Sequence, residues 1–258
     1  MSDLRIALLQ ADLVWENSAA NLLHFDQLLE LHRPDCDLLV LPEMFSTGFS
    51  MRPHLFAGDE DGPEISWMQK QAAKWKCQLA GSLMIKTGKG FVNRLLVVGS
   101  DGILARYDKK HLFSMAGENE LYQSGNERVI HQINGWRINL QICYDLRFPV
   151  WARNRADYDL LLYVANWPSR RIYAWKQLLL ARAIENQCYV AGVNRVGVDG
   201  NGNTYTGGSS LINPMGEPMA EEYDQESMLS AVFSKNYLIE IREKLPFLQD
   251  RDDFNLLG

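Results

Sequence analysis

Cys143 is the residue of this chain whose type and setting best suit nucleophilic chemistry. Residues 137–142 alternate polar and apolar, as a half-buried strand does, and Pro149 lies where the first turn of a helix tolerates proline. A strand, a sharp turn and a helix hold a side chain rigidly at the carboxyl end of a sheet, where open α/β folds bind ligands. A thiol beside a helix amino terminus also has a lowered pKa. The alternative is that Cys143 is a small buried hydrophobic residue.

A cysteine nucleophile usually needs a base, and the order of the histidines argues against the common one. In papain-like enzymes the histidine lies far downstream of the cysteine. Here the histidines all precede Cys143 in the chain: His24, His32, His54, His111 and His131. The remaining candidate for the base is a carboxylate with a cation nearby.

Three segments supply such charged groups. Glu43 follows an apolar strand, Lys109 and Lys110 follow another, and Glu118 and Glu120 lie in a polar loop. Each segment has an ordinary alternative explanation. A carboxylate at a sheet edge can be satisfied by an arginine, and two lysines at a strand end usually form a solvated turn. Each group alone is therefore weak evidence for a catalytic site, and only their combination is specific.

The elements that must position these residues are predicted to form one α/β domain over residues 1–258. An apolar strand at 4–10, a helix from Asn17 or Ser18 to His32 and a strand at 37–41 form a β-α-β unit. We therefore expect the two strands to be parallel neighbours. Residues 45–62 are rich in Gly, Pro and Met and are predicted to form a loop over the sheet edge.

Periodicity and turn residues predict the elements downstream. Two hairpins are expected, at 91–107 around Ser100-Asp101-Gly102 and at 128–142 around Asn134-Gly135. The other predictions are helices at 63–75 and 172–186 and strands at 77–85, 157–165, 189–198, 204–212 and 228–233. The glycines of residues 198–202 do not open a helix after a strand, so they indicate a turn and not a dinucleotide site.

Composition limits the class of protein. The chain has 258 residues and a formal charge of −6, which argues against a nucleic-acid partner. No apolar run reaches the roughly 18 residues that a membrane span needs, and the first residues lack the pattern of a signal peptide. Cys36, Cys77, Cys143 and Cys188 are widely separated, so free thiols are expected and a structural zinc site is not. We expect a cytoplasmic protein.

Three motifs together carry a resemblance to a known family. Residues 41–43 (Leu-Pro-Glu), 107–113 (Tyr-Asp-Lys-Lys-His-Leu-Phe) and 143–149 (Cys-Tyr-Asp-Leu-Arg-Phe-Pro) resemble, in order and spacing, the nitrilase superfamily of carbon–nitrogen hydrolases. Residues 181–187 and 207–210 also look like landmarks of that family, so the resemblance covers nearly the whole chain. Among the branches of the superfamily, the chain resembles the bacterial omega-amidases most.

The resemblance implies catalytic roles. Glu43 is expected to be the general base, Cys143 the nucleophile and Lys109 the catalytic lysine. The ammonium of Lys109 and the backbone N–H of Tyr144 are expected to stabilise the oxyanion. Glu118 is expected to hold the amide or relay a proton.

Two positions depart from the family pattern or leave a choice. Lys110 stands where the family more usually has an apolar residue, so Lys110 is the alternative to Lys109. The second glutamate of the family lies seven positions before a glycine, which selects Glu118, with Glu120 as the alternative.

The resemblance also implies the architecture and the substrate class. The expected fold is the four-layer α-β-β-α sandwich of the nitrilase superfamily, and the subunits are expected to dimerise through helices. The enzyme is expected to act on a small amide and to need no metal or organic cofactor. The expected substrate is a small 2-oxo acid with a terminal amide. Arg170 and Arg171 are candidates to bind its carboxylate through two parallel hydrogen bonds. Trp167, together with Phe45 or Phe49, is a candidate to form the pocket wall.

Other activities use the same three catalytic residues. An N-carbamoyl amidohydrolase or a nitrilase would act on a different carbon–nitrogen bond. A silent binding subunit would keep the fold without the reaction, although it has no chemical need for Glu43, Lys109 and Cys143 together.

Overall fold

The chain folds into two stacked β-sheets with helices on their outer faces. The computed structural model describes residues 2–155 and 158–255. The strands in this part are β1 (Leu4–Gln10), β2 (Leu38–Val40), β3 (Gln78–Thr87), β4 (Gly90–Gly99), β5 (Gly102–Asp108), β6 (Ile130–Ile133), β7 (Trp136–Ile142), β8 (Leu160–Val164), β9 (Tyr189–Val193), β10 (Val196–Val198), β11 (Thr204–Ile212), β12 (Pro218–Tyr223) and β13 (Ser227–Phe233).

The helices separate or follow these strands. They are α1 (Ser18–His32), α2 (Pro53–Phe56), α3 (Pro63–Trp75), α4 (Glu118–Leu121), α5 (Pro149–Ala152), α6 (Ile172–Asn186) and α7 (Lys235–Lys244). Short 3₁₀ turns occupy Ser114–Ala116, Cys143–Arg147, Ser169–Arg171 and Phe247–Asp250. No helix among the described residues is long and apolar enough to span a bilayer.

Each sheet has a parallel centre and antiparallel flanks. The first sheet has the order β13-β1-β2-β3-β4-β5, and the pairs β1–β2 and β2–β3 are parallel. The second has the order β10-β11-β9-β8-β7-β6, with β12 paired to β11, and the pairs β7–β8 and β8–β9 are parallel. The predicted parallel pairing of the first two strands is therefore confirmed.

Alternation along β1 shows how the layers form. Ile6 and Leu8 pack with residues of the second sheet, whereas Ala7 and Leu9 pack with the layer that contains α1 and α3. Successive side chains of a strand point to opposite faces, so one apolar strand fills both interfaces. On the far side, α6 packs so closely on β9 that a Cβ at Gly192 would lie 2.8 Å from Leu179. The four-layer α-β-β-α sandwich is confirmed.

Several predicted bounds agree with the structure and others do not. The strands at 4–10 and 204–212 and the helices at 63–75 and 172–186 have the predicted bounds. The loop predicted at 45–62 contains the short helix α2, and the strand predicted at 189–198 is interrupted between β9 and β10.

Three elements were missed, and two predictions extend beyond the described residues. Helix α4 lies where a polar loop was predicted. Strand β12 and helix α7 were not predicted. The strand predicted at 157–165 is observed as β8, and its first residue, Asp157, lies outside the described residues. The single domain over 1–258 stays a prediction, because its ends also lie outside them.

Candidate active site

Cys143 lies directly after β7, at the carboxyl end of the parallel part of the second sheet. Its φ is +44°, a left-handed conformation that costs a non-glycine residue on the order of 1–3 kcal/mol and is found at functional sites. The side chain is 9% exposed, and Sγ lies 4.0 Å from the carbonyl oxygen of Asn166. The turn that begins here is a single 3₁₀ turn, followed by the four-residue helix α5. The predicted strand, turn and helix are present, but the helix is short.

Glu43 follows β2 and is fully buried. Its Oε1 accepts hydrogen bonds from Lys109 Nζ and Asn93 Nδ2, both at 2.8 Å. Its Oε2 accepts the backbone N–H of Asn166 at 2.9 Å. The side-chain amide of Asn166 also donates to the backbone carbonyl of Glu43. The turn that carries Glu43 is thus attached to the loop after β8, beside Cys143.

Lys109 is the lysine that the structure places beside Glu43. Its ammonium contacts Glu43 Oε1 at 2.8 Å and Glu118 Oε2 at 3.0 Å, and its side chain is almost completely buried. Lys110 points elsewhere, with its ammonium 5.5 Å from the centre of the Trp151 ring. Successive side chains at the end of a strand point to opposite faces, so Lys109 and Lys110 point in different directions.

Glu118 is the glutamate that reaches the cluster. It begins the short helix α4, is fully buried, and accepts the N–H of Phe113 at 2.6 Å in addition to Lys109. Glu120 is exposed. The structure therefore brings together Glu43, Lys109 and Glu118 and leaves Glu120 outside.

Burial and charge shift the pKa values in this cluster. Burial, the negative charge of Glu43 and a hydrogen bond with Glu43 raise the pKa of Cys143 well above its usual value, although Lys109 opposes them. The predicted lowered thiol pKa is therefore wrong, because the cysteine is desolvated and faces a carboxylate. Burial lowers the pKa of Lys109, but Glu118 and Glu43 raise it overall. Burial also raises the pKa of Glu118, despite the opposing charge of Lys109.

A cavity of about 590 Å³ opens at Cys143 and Lys109. Phe49 and Trp167, two of the residues predicted for a pocket wall, line it, and so does Tyr144. Phe45 does not line it: its ring packs 5.9 Å from that of Trp67, in the core between the first sheet and its helices.

Four arginines line the same cavity, and Arg52 among them pairs with Glu16. The other three are Arg147, Arg170 and Arg171. The guanidinium of Arg171 lies 5.0 Å from the centre of the Phe113 ring, and burial, followed by the charge of Arg170, lowers its pKa. Arg170 is more exposed. Arg147, which the sequence interpretation did not select, lies 5.0 Å from the Trp167 ring. None of the three pairs with a carboxylate among the described residues.

Asn93 and Asn166 were also missed. Asn93 lies on β4 and donates to Glu43 at 2.8 Å and to Glu118 Oε1 at 3.3 Å. The signal for Asn93 was a lone amide within an otherwise mostly apolar strand. For Asn166 the signal was its place at the carboxyl end of β8, the same end as Cys143.

Stacked α-β-β-α layers around a buried cysteine, lysine and glutamate pair define a class of hydrolases that act on carbon–nitrogen bonds. The chain belongs to the carbon–nitrogen hydrolase family, whose sequence profile matches residues 5–243. It is accordingly a hydrolase of carbon–nitrogen bonds other than peptide bonds, and the predicted superfamily is confirmed.

Individual relatives match the whole chain. The omega-amidase YafV of Escherichia coli K12 is 50% identical over 257 residues, covering 99% of this chain and 100% of the relative. The 2-oxoglutaramate amidase of Bacillus subtilis is 33% identical over 250 residues, covering 95% of this chain and 96% of the relative. A superfamily protein from Xanthomonas campestris with an arsenic adduct in its active site has a TM-score of 0.96 and 46% identity, covering 99% of this chain and 100% of that chain.

Proposed function

We propose that the protein is an omega-amidase. It hydrolyses the terminal amide of small 2-oxo acids, such as 2-oxoglutaramate and 2-oxosuccinamate, to the 2-oxo dicarboxylate and ammonia. The observation that carries the proposal is the buried cluster of Glu43, Lys109 and Glu118 beside Cys143, at the base of a cavity. Three of the arginines that line this cavity have no carboxylate partner among the described residues. Relatives that match the whole chain and are named omega-amidase and 2-oxoglutaramate amidase support it.

Acylation begins from a neutral thiol. Because the pKa of Cys143 is raised, the proton stays on sulfur until Glu43 takes it as Sγ attacks the amide carbon. The C–S bond forms and the carbonyl oxygen becomes an oxyanion. Glu43 then gives the proton to the amide nitrogen, the C–N bond breaks, ammonia leaves and a thioester remains.

Lys109 has a donor left for the oxyanion. An ammonium has three N–H groups. One is directed at Glu43, and a second is shared by the two oxygens of Glu118, at 3.0 and 3.1 Å, which leaves the third for the developing charge. One such donor is worth on the order of 3 kcal/mol in comparable sites. The backbone N–H of Tyr144 is the second proposed donor.

Deacylation uses the same base. Glu43 takes a proton from water, the resulting hydroxide attacks the thioester carbon, and the C–S bond breaks. The thiolate of Cys143 recovers the proton from Glu43, so the enzyme returns to its starting state. Glu118 keeps Lys109 in place through both steps.

Arg171 is the better of the two predicted carboxylate ligands. It is partly buried and stacked on Phe113, so its guanidinium is already oriented, whereas Arg170 is more exposed. Arg147 lies at the same mouth. A substrate carboxylate would give these cations the partner that they lack among the described residues.

Steady-state kinetics test the proposed function. The kcat/KM for 2-oxoglutaramate should exceed that for the matching nitrile and N-carbamoyl amino acid by orders of magnitude. Arg171→Met should lower kcat/KM for the 2-oxo acid amide but not for an uncharged amide. Faster turnover of nitriles or carbamoyl compounds would contradict the omega-amidase assignment, and no turnover of any of them would favour a silent subunit.

We further infer a cytoplasmic homodimer of one-domain subunits. The cysteines of the described residues are free thiols, as expected in a reducing compartment. Tyr173 and Ile184 on α6 are 76% and 55% exposed, which is consistent with a subunit contact along this helix.

A further inference from the structure

Asn93 contacts all three charged residues of the candidate site. From strand β4, its Nδ2 donates to Oε1 of Glu43 at 2.8 Å and to Oε1 of Glu118 at 3.3 Å. Its backbone carbonyl accepts the N–H of Lys109 at 3.0 Å. The side chain is fully buried.

The chemistry of its neighbours fixes the orientation of the amide. An ionised carboxylate oxygen can only accept hydrogen bonds, so the nitrogen of Asn93 must face Glu43 and Glu118. Its Oδ1 is then buried without a hydrogen-bond partner among the described residues. An unpaired buried oxygen is unfavourable, so a residue that served only packing would be better replaced by an apolar one.

Asn93 makes the two oxygens of Glu43 unequal. Oε1 accepts from both Lys109 Nζ and Asn93 Nδ2, which occupies both of its lone pairs. Oε2 accepts from the N–H of Asn166 among the described residues, which leaves one lone pair for a proton.

We propose that Asn93 is a positioning residue for the amidase reaction. By holding Oε1 of Glu43, it directs the thiol proton of Cys143 to Oε2, and by bridging Glu43 and Glu118 it keeps two adjacent carboxylates ionised beside one ammonium. The inference rests on the proposed function, because it requires Glu43 to be the base.

The charge balance around the bridge gives a measurable consequence. The groups that face the two carboxylates are Lys109, the thiol of Cys143 and the hydroxyl of Tyr122. Lys109 can balance one negative charge, and the Asn93 amide is the other strong donor that touches both glutamates. Without it, the carboxylate pair takes up a proton at higher pH, and the base is lost over a wider acid range.

The test is the pH profile of Asn93→Leu with 2-oxoglutaramate between pH 5 and 9. Leucine has a similar volume and no donor. We expect kcat to fall about 10- to 100-fold and KM to change less than about threefold, because Asn93 is not among the residues that line the cavity. The acid limb of kcat/KM should move up by about half a pH unit or more. If Asn93→Leu does not fold, Asn93→Ser is measured instead. The same changes in kcat, KM and the acid limb are expected for it, with smaller magnitudes.

Asn139→Leu is the matched control, since Asn139 is a buried strand asparagine bonded to Gln141 and not to the cluster. It should leave the acid limb in place even if it lowers stability. An unmoved acid limb in the Asn93 variant, with or without a loss of kcat, would overturn the inference. The wild type separates the two proposals: a wild type that does not hydrolyse 2-oxoglutaramate overturns the proposed function, whereas an active wild type with a normal Asn93→Leu profile overturns only the role of Asn93. An active Glu43→Gln enzyme would also overturn the inference, because Glu43 would then not be the base.

Discussion

The hydroxyl of Tyr107 donates a hydrogen bond to Oδ2 of Asp145 at 2.7 Å, which joins the last strand of the first sheet to the turn that carries Cys143. The same buried carboxylate accepts the backbone N–H of Ile142 at 3.0 Å and that of His111 at 2.9 Å. Asp145 therefore binds residues on both sides of Lys109 and the residue before Cys143. This link fixes the two catalytic candidates relative to each other.

Tyr107→Phe should lower the free energy of unfolding by about 1–3 kcal/mol, because Asp145 loses a donor and the indole N–H of Trp151 loses its acceptor. Tyr163→Phe is the matched control, since the buried hydroxyl of Tyr163 has no partner among the described residues. The control should be neutral or stabilising. Urea denaturation of both variants provides the comparison, and equal losses would refute this reading of Asp145.

Lys109→Met should lower kcat by about a hundredfold or more, because the oxyanion loses its ammonium. It should also destabilise the fold by roughly 3 kcal/mol, since two buried carboxylates lose their cation. Lys110→Met, which removes a charge that lies over Trp151, should keep near-normal turnover. Kinetics and thermal melts measure both effects. A dead Lys110 variant beside a normal Lys109 variant would show that the assignment is off by one.

Cys143 should carry the covalent intermediate. Rapid acid quench of the enzyme during turnover of 2-oxoglutaramate should leave an acyl adduct in the intact-protein mass, because the thioester forms before water enters. Cys143→Ala should lose both the adduct and the activity. Cys188→Ala, at a cysteine in the core away from the cavity, should retain both. Turnover by Cys143→Ala would rule out the mechanism.

Stability should fall in alkali, in part through Cys143. The folded thiol has a raised pKa, so the unfolded chain releases this proton first as the pH passes about 9, the ordinary pKa of a thiol. The contribution of the thiol is complete below that pH and declines above it. Tyr107 and Tyr158 act in the same direction, because burial raises their pKa values too. Urea titrations from pH 7 to 10.5 should show a shallower decline for Cys143→Ala; parallel curves would count against the raised pKa.

The homodimer can be tested by light scattering at micromolar concentration, where a mass of twice 29.5 kDa is expected. Obligate interfaces bury roughly 2,000 Å² or more, so a charge at the contact should weaken it. Tyr173→Glu should shift the mass toward the monomer. A control at Leu31, which is exposed on α1, should not. A monomeric wild type would refute the proposal.

The sequence was sufficient for those parts of the fold in which local pattern and tertiary packing agree. Strand β1 and helices α3 and α6 have strong periodicity and clear end signals, so their bounds were predicted. Strand β12 is half-exposed and carries Glu221 and Glu222. Its sequence therefore lacks the clear alternation of polar and apolar residues that would have predicted a strand paired with β11. Helix α7 begins after Ser234, whose cap is a weak signal without a strong apolar face.

The candidate site divides in the same way. Glu43, Lys109 and Cys143 were found because their motifs resemble a known family, and burial in the structure selects Lys109 over Lys110. Asn93 was missed because its role depends on two partners from distant segments. The shift in the pKa of the Cys143 thiol was predicted in the wrong direction. Burial, which the sequence does not reveal, raises this pKa more than the amino terminus of the short helix α5 could lower it.

The site is divided between the two sheets. Glu43 and Lys109 follow strands of the first sheet, whereas Cys143 follows a strand of the second, and long-range contacts bring them together. Neither sheet alone contains both the proposed base and the proposed nucleophile. During refolding, catalytic activity should therefore return only when the two sheets have docked. Activity is in this sense a probe of the docking of the two sheets, and a fragment that holds only one sheet should lack it.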